Sequence, residues 1–354
     1  MKCGWFISAL AVVTAFVAAC TIDPPLQLRQ TAEVVVKLMW KIEVYPEGVK
    51  PGGVTFYFFR DGEYVQQYTT AQVDSCVVNL SPGRYRVYMI SQSPEEYGTM
   101  EFSDMTDFDK ARVSVVETKS RWYTRAEGEI LINNPELMTA GVSDEFEVSE
   151  DMIEEIYRRV HDAKMNGTDS GVLTYTIRVP VHPQSIVSRY WVTIYSSNAD
   201  VLKAVRSSTS GMARTWMLTK DRTGDEEGTQ LITDWKLTMD DSDTRIGHLD
   251  GYVTTFGFPR GELPSPDRDP RLNVSTLLVD NETVEDYVFL VGDKIVLEEP
   301  IPQGHRLLYH LVLGSIHEPA ITPKDVQPPE GEQLGGFDAM VEEWEDGASL
   351  DIEM

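Results

Sequence analysis

Glu33-Val34-Val35-Val36-Lys37-Leu38-Met39-Trp40-Lys41-Ile42-Glu43-Val44 is the stretch on which the fold turns. Val34, Val36, Leu38, Trp40, Ile42 and Val44 recur every second residue, with Glu33, Lys37, Lys41 and Glu43 among those opposite. A period of two predicts a long, half-buried β-strand over 33–44. Towards the C-terminus, β-rich runs follow at 54–60, 64–69, 73–80, 84–90 and 111–117. Asp61-Gly62 suits a tight hairpin, and Ser81-Pro82-Gly83 suits a turn in which glycine supplies positive φ. Short strands at this spacing, without interleaved helices, predict an antiparallel sandwich or barrel.

The chain has 354 residues, of which 42% are hydrophobic and 25% charged, so it can build sizeable cores and excludes both a disordered and a polytopic membrane protein. It carries 57 acidic against 31 basic residues, a formal charge of -26. That field repels a phosphate backbone, and nucleic acid is excluded as a partner. The three cysteines cannot make a disulfide framework.

Towards the N-terminus, Lys2 precedes an apolar run from Trp5 to Ala19 broken only by Ser8 and Thr14. Fifteen helical residues rise about 22 Å, short of the roughly 30 Å hydrocarbon core, so the run reads as an export signal rather than a spanning helix. Its end, Val17-Ala18-Ala19-Cys20, resembles the bacterial lipobox. That resemblance implies cleavage before Cys20 and lipidation of its thiol and new amine, giving three acyl chains where one would hold weakly. Loss of Lys2 leaves the mature side chains at -27. The remaining thiol, Cys76, sits among Val77, Val78 and small polar residues and reads as a strand hydrophobe rather than a nucleophile.

One helix is predicted, over 150–165. Ser149 is its N-cap and Asn166-Gly167 its stop, with Glu150, Asp151 and Glu154 early and Arg158, Arg159 and Lys164 late. Met152, Ile153, Ile156, Tyr157 and Val160 form the apolar stripe that would pack it on a sheet. Strand patterns resume at 172–179, 186–196, 215–218, 230–238, 252–258, 272–279, 285–290, 294–297 and 306–313. That number suits a second sandwich. The fold expected is mainly β: two consecutive antiparallel, Ig-like β-sandwiches with one helical insert. The organisation expected is a signal at 1–19, a lipidated tether at 20–30, sandwiches at 31–132 and 133–318, and a proline-rich linker with an acidic tail at 319–354.

Three strings carry a resemblance. Asn79-Leu80-Ser81-Pro82-Gly83-Arg84-Tyr85-Arg86-Val87, Ser210-Gly211-Met212-Ala213, and Gly335-Gly336-Phe337-Asp338 followed by Val341-Glu342-Glu343-Trp344 occur in this order behind the lipobox. In this the chain resembles the fimbrillin-like lipoproteins of the Bacteroidales, relatives of type V fimbria subunits and anchors. The resemblance implies transthyretin-like sandwiches, anchoring in the outer membrane at the cell surface, and assembly with other fimbrial subunits by strand exchange. In polymerising members a protease removes the lipidated first strand. Here only Thr21 to Arg29 precede the first Arg-bearing site, and Pro24-Pro25 spoil them as a ladder strand. An anchor or accessory subunit that keeps its lipid is therefore expected.

Residues 330–354 hold nine acids and no Lys or Arg. Leu350-Asp351-Ile352-Glu353-Met354 alternates strictly, as a strand with one wettable face does. Either the tail is solvated, or it is a donor strand for a partner's open sheet edge, with Phe337, Val341, Trp344, Leu350 and Ile352 as anchors. Catalytic chemistry finds no footing. His161, His182, His248, His305, His310 and His317 show no ligand spacing, and Asp241-Ser242-Asp243 has Arg245 and Ile246 where a calcium loop needs a ligand and a glycine. Asp267 and Asp269 pair as a glycosidase's carboxylates would, but chance pairs are expected among 57 acids. No phosphate loop or serine elbow appears, so no enzyme, metal or cofactor is expected. The alternative to a fimbrial subunit is a free-standing surface lipoprotein for a glycan or other host ligand. Exposed aromatics such as Trp191 with Tyr195, or Tyr252 with Phe256, would supply its face, unless they are core residues.

Overall fold

The computed structural model describes residues 31–41, 50–123, 128–166, 176–243, 245–264, 270–330 and 337. The strands in the first part of the chain are β1 (Ala32–Leu38), β2 (Val54–Arg60), β3 (Glu63–Thr70), β4 (Ser75–Leu80), β5 (Gly83–Ser91), β6 (Met100–Ser103), β7 (Arg112–Val115), β8 (Thr139–Val142) and β9 (Phe146–Val148). The helix α1 (Glu150–Met165) comes next. After it come β10 (Thr176–Val181), β11 (Gln184–Ser185), β12 (Ser188–Ser197), β13 (Leu202–Ala213), β14 (Thr215–Met217), β15 (Arg222–Thr223), β16 (Glu227–Ile232) and β17 (Trp235–Met239). The last are β18 (Ile246–Thr255), β19 (Arg271–Leu278), β20 (Val284–Leu290), β21 (Ile295–Glu298) and β22 (Leu308–Leu313).

The alternation that opens the sequence holds through β1, whose residues are buried and less buried in turn. The strand stops at Leu38 rather than continuing to Val44. Trp40 is half-buried, its indole N–H donated to the Val73 carbonyl at 2.7 Å, and 42–49 lie outside the described residues. The hairpin between β2 and β3 turns as expected at Asp61 and Gly62, both at positive φ (52° and 89°), a conformation open to Asp and easiest for Gly.

By compactness the described residues fall into two units. The smaller comprises 31–34, 78–82, 148–166 and 176–177. Within it α1 starts as predicted: the Ser149 hydroxyl accepts the Met152 N–H at 3.2 Å, satisfying one of the orphan donors of the first turn. Ile153 is its buried apolar anchor, and Glu155 pairs with Arg158 and Arg159.

The larger unit comprises 35–77, 83–147 and 178–330 of the described segments, with Phe337. β2 lies between β3 and β5 and is buried along both faces up to Phe59. Tyr57 stacks on Tyr88 at 4.7 Å, and Phe59 meets Phe108 edge-on at 5.3 Å. Cys76 is buried in β4 as expected, and burial pushes its thiol up to about 12, which keeps it an unreactive hydrophobe.

Two further sheets run β17-β18-β12-β22-β21 and β16-β13-β19-β20. Tyr190, Val192 and Ile194 of β12 share one hydrophobic cluster with Val205 and Met212 of β13 and Leu272 and Val274 of β19. β12 pairs antiparallel with β18 but parallel with β22. Parallel neighbours need a long crossover, and residues 198–307 supply it. β6 and β7 share a sheet with β14 and β15, through pairs such as Val113 with Trp216. β8 and β9 join β5. Segments expected on opposite sides of residue 132 thus hydrogen-bond to each other, and the same cluster extends from Tyr57 to Ile321.

The second small-residue string also has a local cause. β13 shifts register against β16 between Thr209 and Met212, and Gly211 sits at φ 77° where an added Cβ would come within 3.1 Å of Pro270. The Ser210 hydroxyl accepts the Arg271 N–H at 2.9 Å. A bulge at this position needs a glycine and a small hydroxyl.

His305 lies in the loop before β22 and is 4% exposed. Its Nδ1–H donates to the Gln303 carbonyl at 2.9 Å, and burial, seconded by Arg189, lowers its pKa from 6.5. Below pH 6.5 the unfolded chain then binds a proton that the folded chain refuses, so stability falls as pH drops from 6.5 towards the folded value. Urea midpoints between pH 7 and about pH 5 should show this loss, and His305→Gln should flatten it; an unchanged slope in the variant would refute the assignment.

Candidate functional site

Among the candidate positions, Trp191 and Tyr252 come together. β12 and β18 pair at Trp191↔Tyr252, Thr193↔Asp250 and Tyr195↔His248, and β12 and β22 pair at Trp191↔His310. Inward residues Tyr190, Val192, Ile194, Leu249, Val253 and Leu311 are buried. Strand alternation therefore turns Trp191, Thr193, Tyr195, His248, Asp250, Tyr252 and His310 to the opposite face. Trp191 keeps 37% and Tyr252 48% of its surface exposed, where a core role would leave almost none. Phe256 differs. It is buried at 2% and meets Trp216 at 6.3 Å, so it belongs to the core.

A polar chain holds the face in place. Asp250 Oδ1 accepts the Trp191 indole N–H at 3.1 Å and the Thr193 hydroxyl at 2.7 Å. Asp250 Oδ2 lies 3.3 Å from His248 Nε2. Thr193 Oγ1 is 3.1 Å from His310 Nε2, and His310 Nδ1 is 2.8 Å from Glu298 Oε1 on β21. The Trp191 ring lies 5.8 Å from the His310 ring, and the Arg189 guanidinium covers the Tyr252 ring at 4.6 Å. The result is a Trp191 ring and a His310 ring held by hydrogen bonds beside a Tyr252 ring stacked under Arg189, with Val296 and Val312 exposed on the same sheet.

Sequence reasoning picked out Trp191, Tyr195 and Tyr252 but missed Asp250, Thr193, His310 and Glu298. Its survey of histidines sought metal-ligand spacing, whereas His248 and His310 each meet a carboxylate of the same sheet. Of the expected donor-strand anchors, Phe337 is partly buried and packed on the hydrophobic core. Val341, Trp344, Leu350 and Ile352 lie outside the described residues, as do Cys20, Asp267 and Asp269.

Fold and face together define a multi-sheet β protein with an ordered aromatic surface. A family model described as a domain of unknown function, DUF5119, matches residues 26–233, more than half of the chain, and the chain belongs to that family. Among solved structures, a candidate adhesin from Bacteroides ovatus is similar at a TM-score of 0.55 and 14% identity, covering 84% of this chain and 94% of that one. The fimbrial anchor protein Mfa2 from Porphyromonas gingivalis aligns at a TM-score of 0.43 and 10% identity, over 80% of this chain and 90% of that one. The tip fimbrial protein Mfa3 from Porphyromonas gingivalis aligns at 0.36 and 12% identity, over 78% and 86%. The likeness to the Bacteroides ovatus structure is one of fold. No curated protein matches in sequence.

Asp250→Ala removes one acceptor shared by the Trp191 and Thr193 side chains and should lower stability by about 1–2 kcal/mol. Urea denaturation reads this loss. Trp191 should also become more accessible to acrylamide, as the difference from a Trp191→Phe background shows, and an unaltered quenching constant would mean that Asp250 does not hold the ring.

Proposed function

We propose that the protein is a lipid-anchored cell-surface fimbrial or adhesion subunit, an anchor or accessory component rather than an enzyme. The observation that carries this reading is the fold shared with the Bacteroides ovatus candidate adhesin along 94% of that chain. The lipobox string ending at Cys20 supports attachment to the outer membrane, where three acyl chains would hold firmly. Alternation and acidity in 335–354 support a C-terminal strand donated to another subunit, since added strands take affinity from main-chain hydrogen bonds and specificity from alternate side chains. Phe337 rests on the core in the isolated chain, so as a donor anchor it exchanges one apolar contact for another.

A second reading, a free-standing surface binder for a glycan or host ligand, is favoured by the exposed aromatic face. The two differ in assembly: strand-exchanged complexes persist as ladders in mild denaturant, and a free binder runs as one species.

Cys20→Ala should move the protein from the membrane pellet to the soluble fraction; a protein that still pellets is not anchored there. N-terminal sequencing of surface-purified protein should not begin at Gln30, because a start there would mean that the lipid is shed. Deletion of 338–354 keeps Phe337 on the core, so the thermal midpoint should stay within a few degrees of the parent. Oligomer ladders should disappear, and ladders that survive the deletion would reject strand donation.

A further inference from the structure

The outer face of the β17-β18-β12-β22-β21 sheet carries exposed aromatic residues beside charges of both signs. Register places Lys236 opposite Asp250 and Thr193 next to it. The ionisable residues of the face are Arg189, Lys236, Asp250 and Glu298, with His248 and His310 against the two carboxylates. Histidines aside, two cations offset two carboxylates. The whole chain, in contrast, carries -26. Anionic ligands are repelled by that field, and cationic ligands are drawn to the acidic surface elsewhere. A face with no net charge is matched by a neutral ligand.

Its chemistry narrows the class further. Trp191 and Tyr252 are direct cross-strand neighbours, both exposed, with Arg189 over one face of the Tyr252 ring, and large flat rings gain most from an apolar ligand surface. Hydroxyl, carboxylate, imidazole and guanidinium groups surround them within one sheet, which suits a ligand with an apolar face and a polar rim. Asp250 already fixes the Trp191 ring, so little rotamer freedom remains to be lost on binding. A pyranose ring, whose axial C–H bonds form an apolar face bordered by equatorial hydroxyls, has this character.

We propose that Trp191 and Tyr252 form a platform for a neutral hexopyranose, with Asp250 and His310 at its polar rim and the buried Thr193 hydroxyl bracing both. The platform gives the adhesion reading a ligand class and rests on that reading only for where the sugar is met; binding itself is a property of the isolated soluble chain. It is read separately from anchoring and assembly, which Cys20 and the C-terminal segment test.

The experiment uses the Cys20→Ala protein and a set of neutral disaccharides, lactose, cellobiose and maltose, titrated by calorimetry and by tryptophan fluorescence. At least one should bind, and Trp191→Ala and Tyr252→Ala should each weaken it about ten-fold or more, while Trp191→Phe retains most of the affinity. Circular dichroism and thermal melting check that both alanine variants fold, and two independent positions keep the test decisive if one does not. No binding up to roughly 10 mM, a limit at which affinity is below useful ligand recognition, overturns the proposal. Binding that both alanine variants leave intact overturns it too. Sedimentation of the parent and Trp191→Ala proteins covers the remaining occupant: a dimer lost in the variant would assign the face to a second copy of the chain instead.

Discussion

Strict alternation along β12 is the constraint on which the rest depends. Its even-numbered residues Tyr190, Val192 and Ile194 are buried in the core, and its odd-numbered residues Arg189, Trp191, Thr193 and Tyr195 build the outer face. A slip of one residue would expose the first set and bury the second, including an arginine. Two neighbours prevent that slip. β18 holds all ten residues of β12 in continuous antiparallel register, and β22 holds six of them in parallel. The same pairing aligns Asp250 with Thr193 and His310 with Trp191, so the register that makes the core also assembles the surface network.

Where the period of two is supported by an apolar face, the fold was legible in the sequence. β2 and α1 have the expected bounds, and the hairpin at Asp61-Gly62 turns as its residue types require. β13 was missed, although it is twelve residues long and central in its sheet. Its middle reads Arg206-Ser207-Ser208-Thr209-Ser210-Gly211, which looks like a loop. Those polar groups are nonetheless buried through Thr209. The Ser208 hydroxyl accepts from Asn273 at 3.1 Å, and the Arg206 guanidinium lies 4.7 Å from the Trp122 ring. Burial draws that guanidinium down to about 10, with Asp286 opposing the shift. Satisfying buried polar groups takes partners far along the chain, and a pattern of hydrophobicity contains no record of them.

Long-range pairing also explains why the face was only half legible. Trp191 and Tyr252 announce themselves by residue type, but whether they point outward depends on the strands between which they fall. Phe256 shows the other outcome four residues beyond Tyr252: past the end of β18 the chain turns it inwards. The contacts from Asp250 to Thr193 and from Thr193 to His310 span 57 and 117 residues of sequence. They exist because β12 lies between β18 and β22, an order that requires the crossover at 198–307. Short strands such as β6, β8 and β9 were missed for a related reason, since three or four residues are too few to establish a period.

Charge distribution joins these observations. The net charge of -26 first excludes nucleic acid, and its placement then divides the molecule by chemistry. Nine acids without a compensating base fall in 330–354, while the aromatic face brings cations and carboxylates into balance. Acidic surfaces repel one another once they come within a Debye length, so close association needs a surface on which that repulsion is locally absent. At a separation beyond about 8 Å in physiological salt, the rest of the acidic surface is largely screened, and the charges in and around the face dominate what docks there. A balanced, ordered and exposed aromatic face on an acidic protein is therefore selective in kind: it admits an uncharged polar ligand whose recognition depends on stacking and hydrogen bonds rather than on ion pairing.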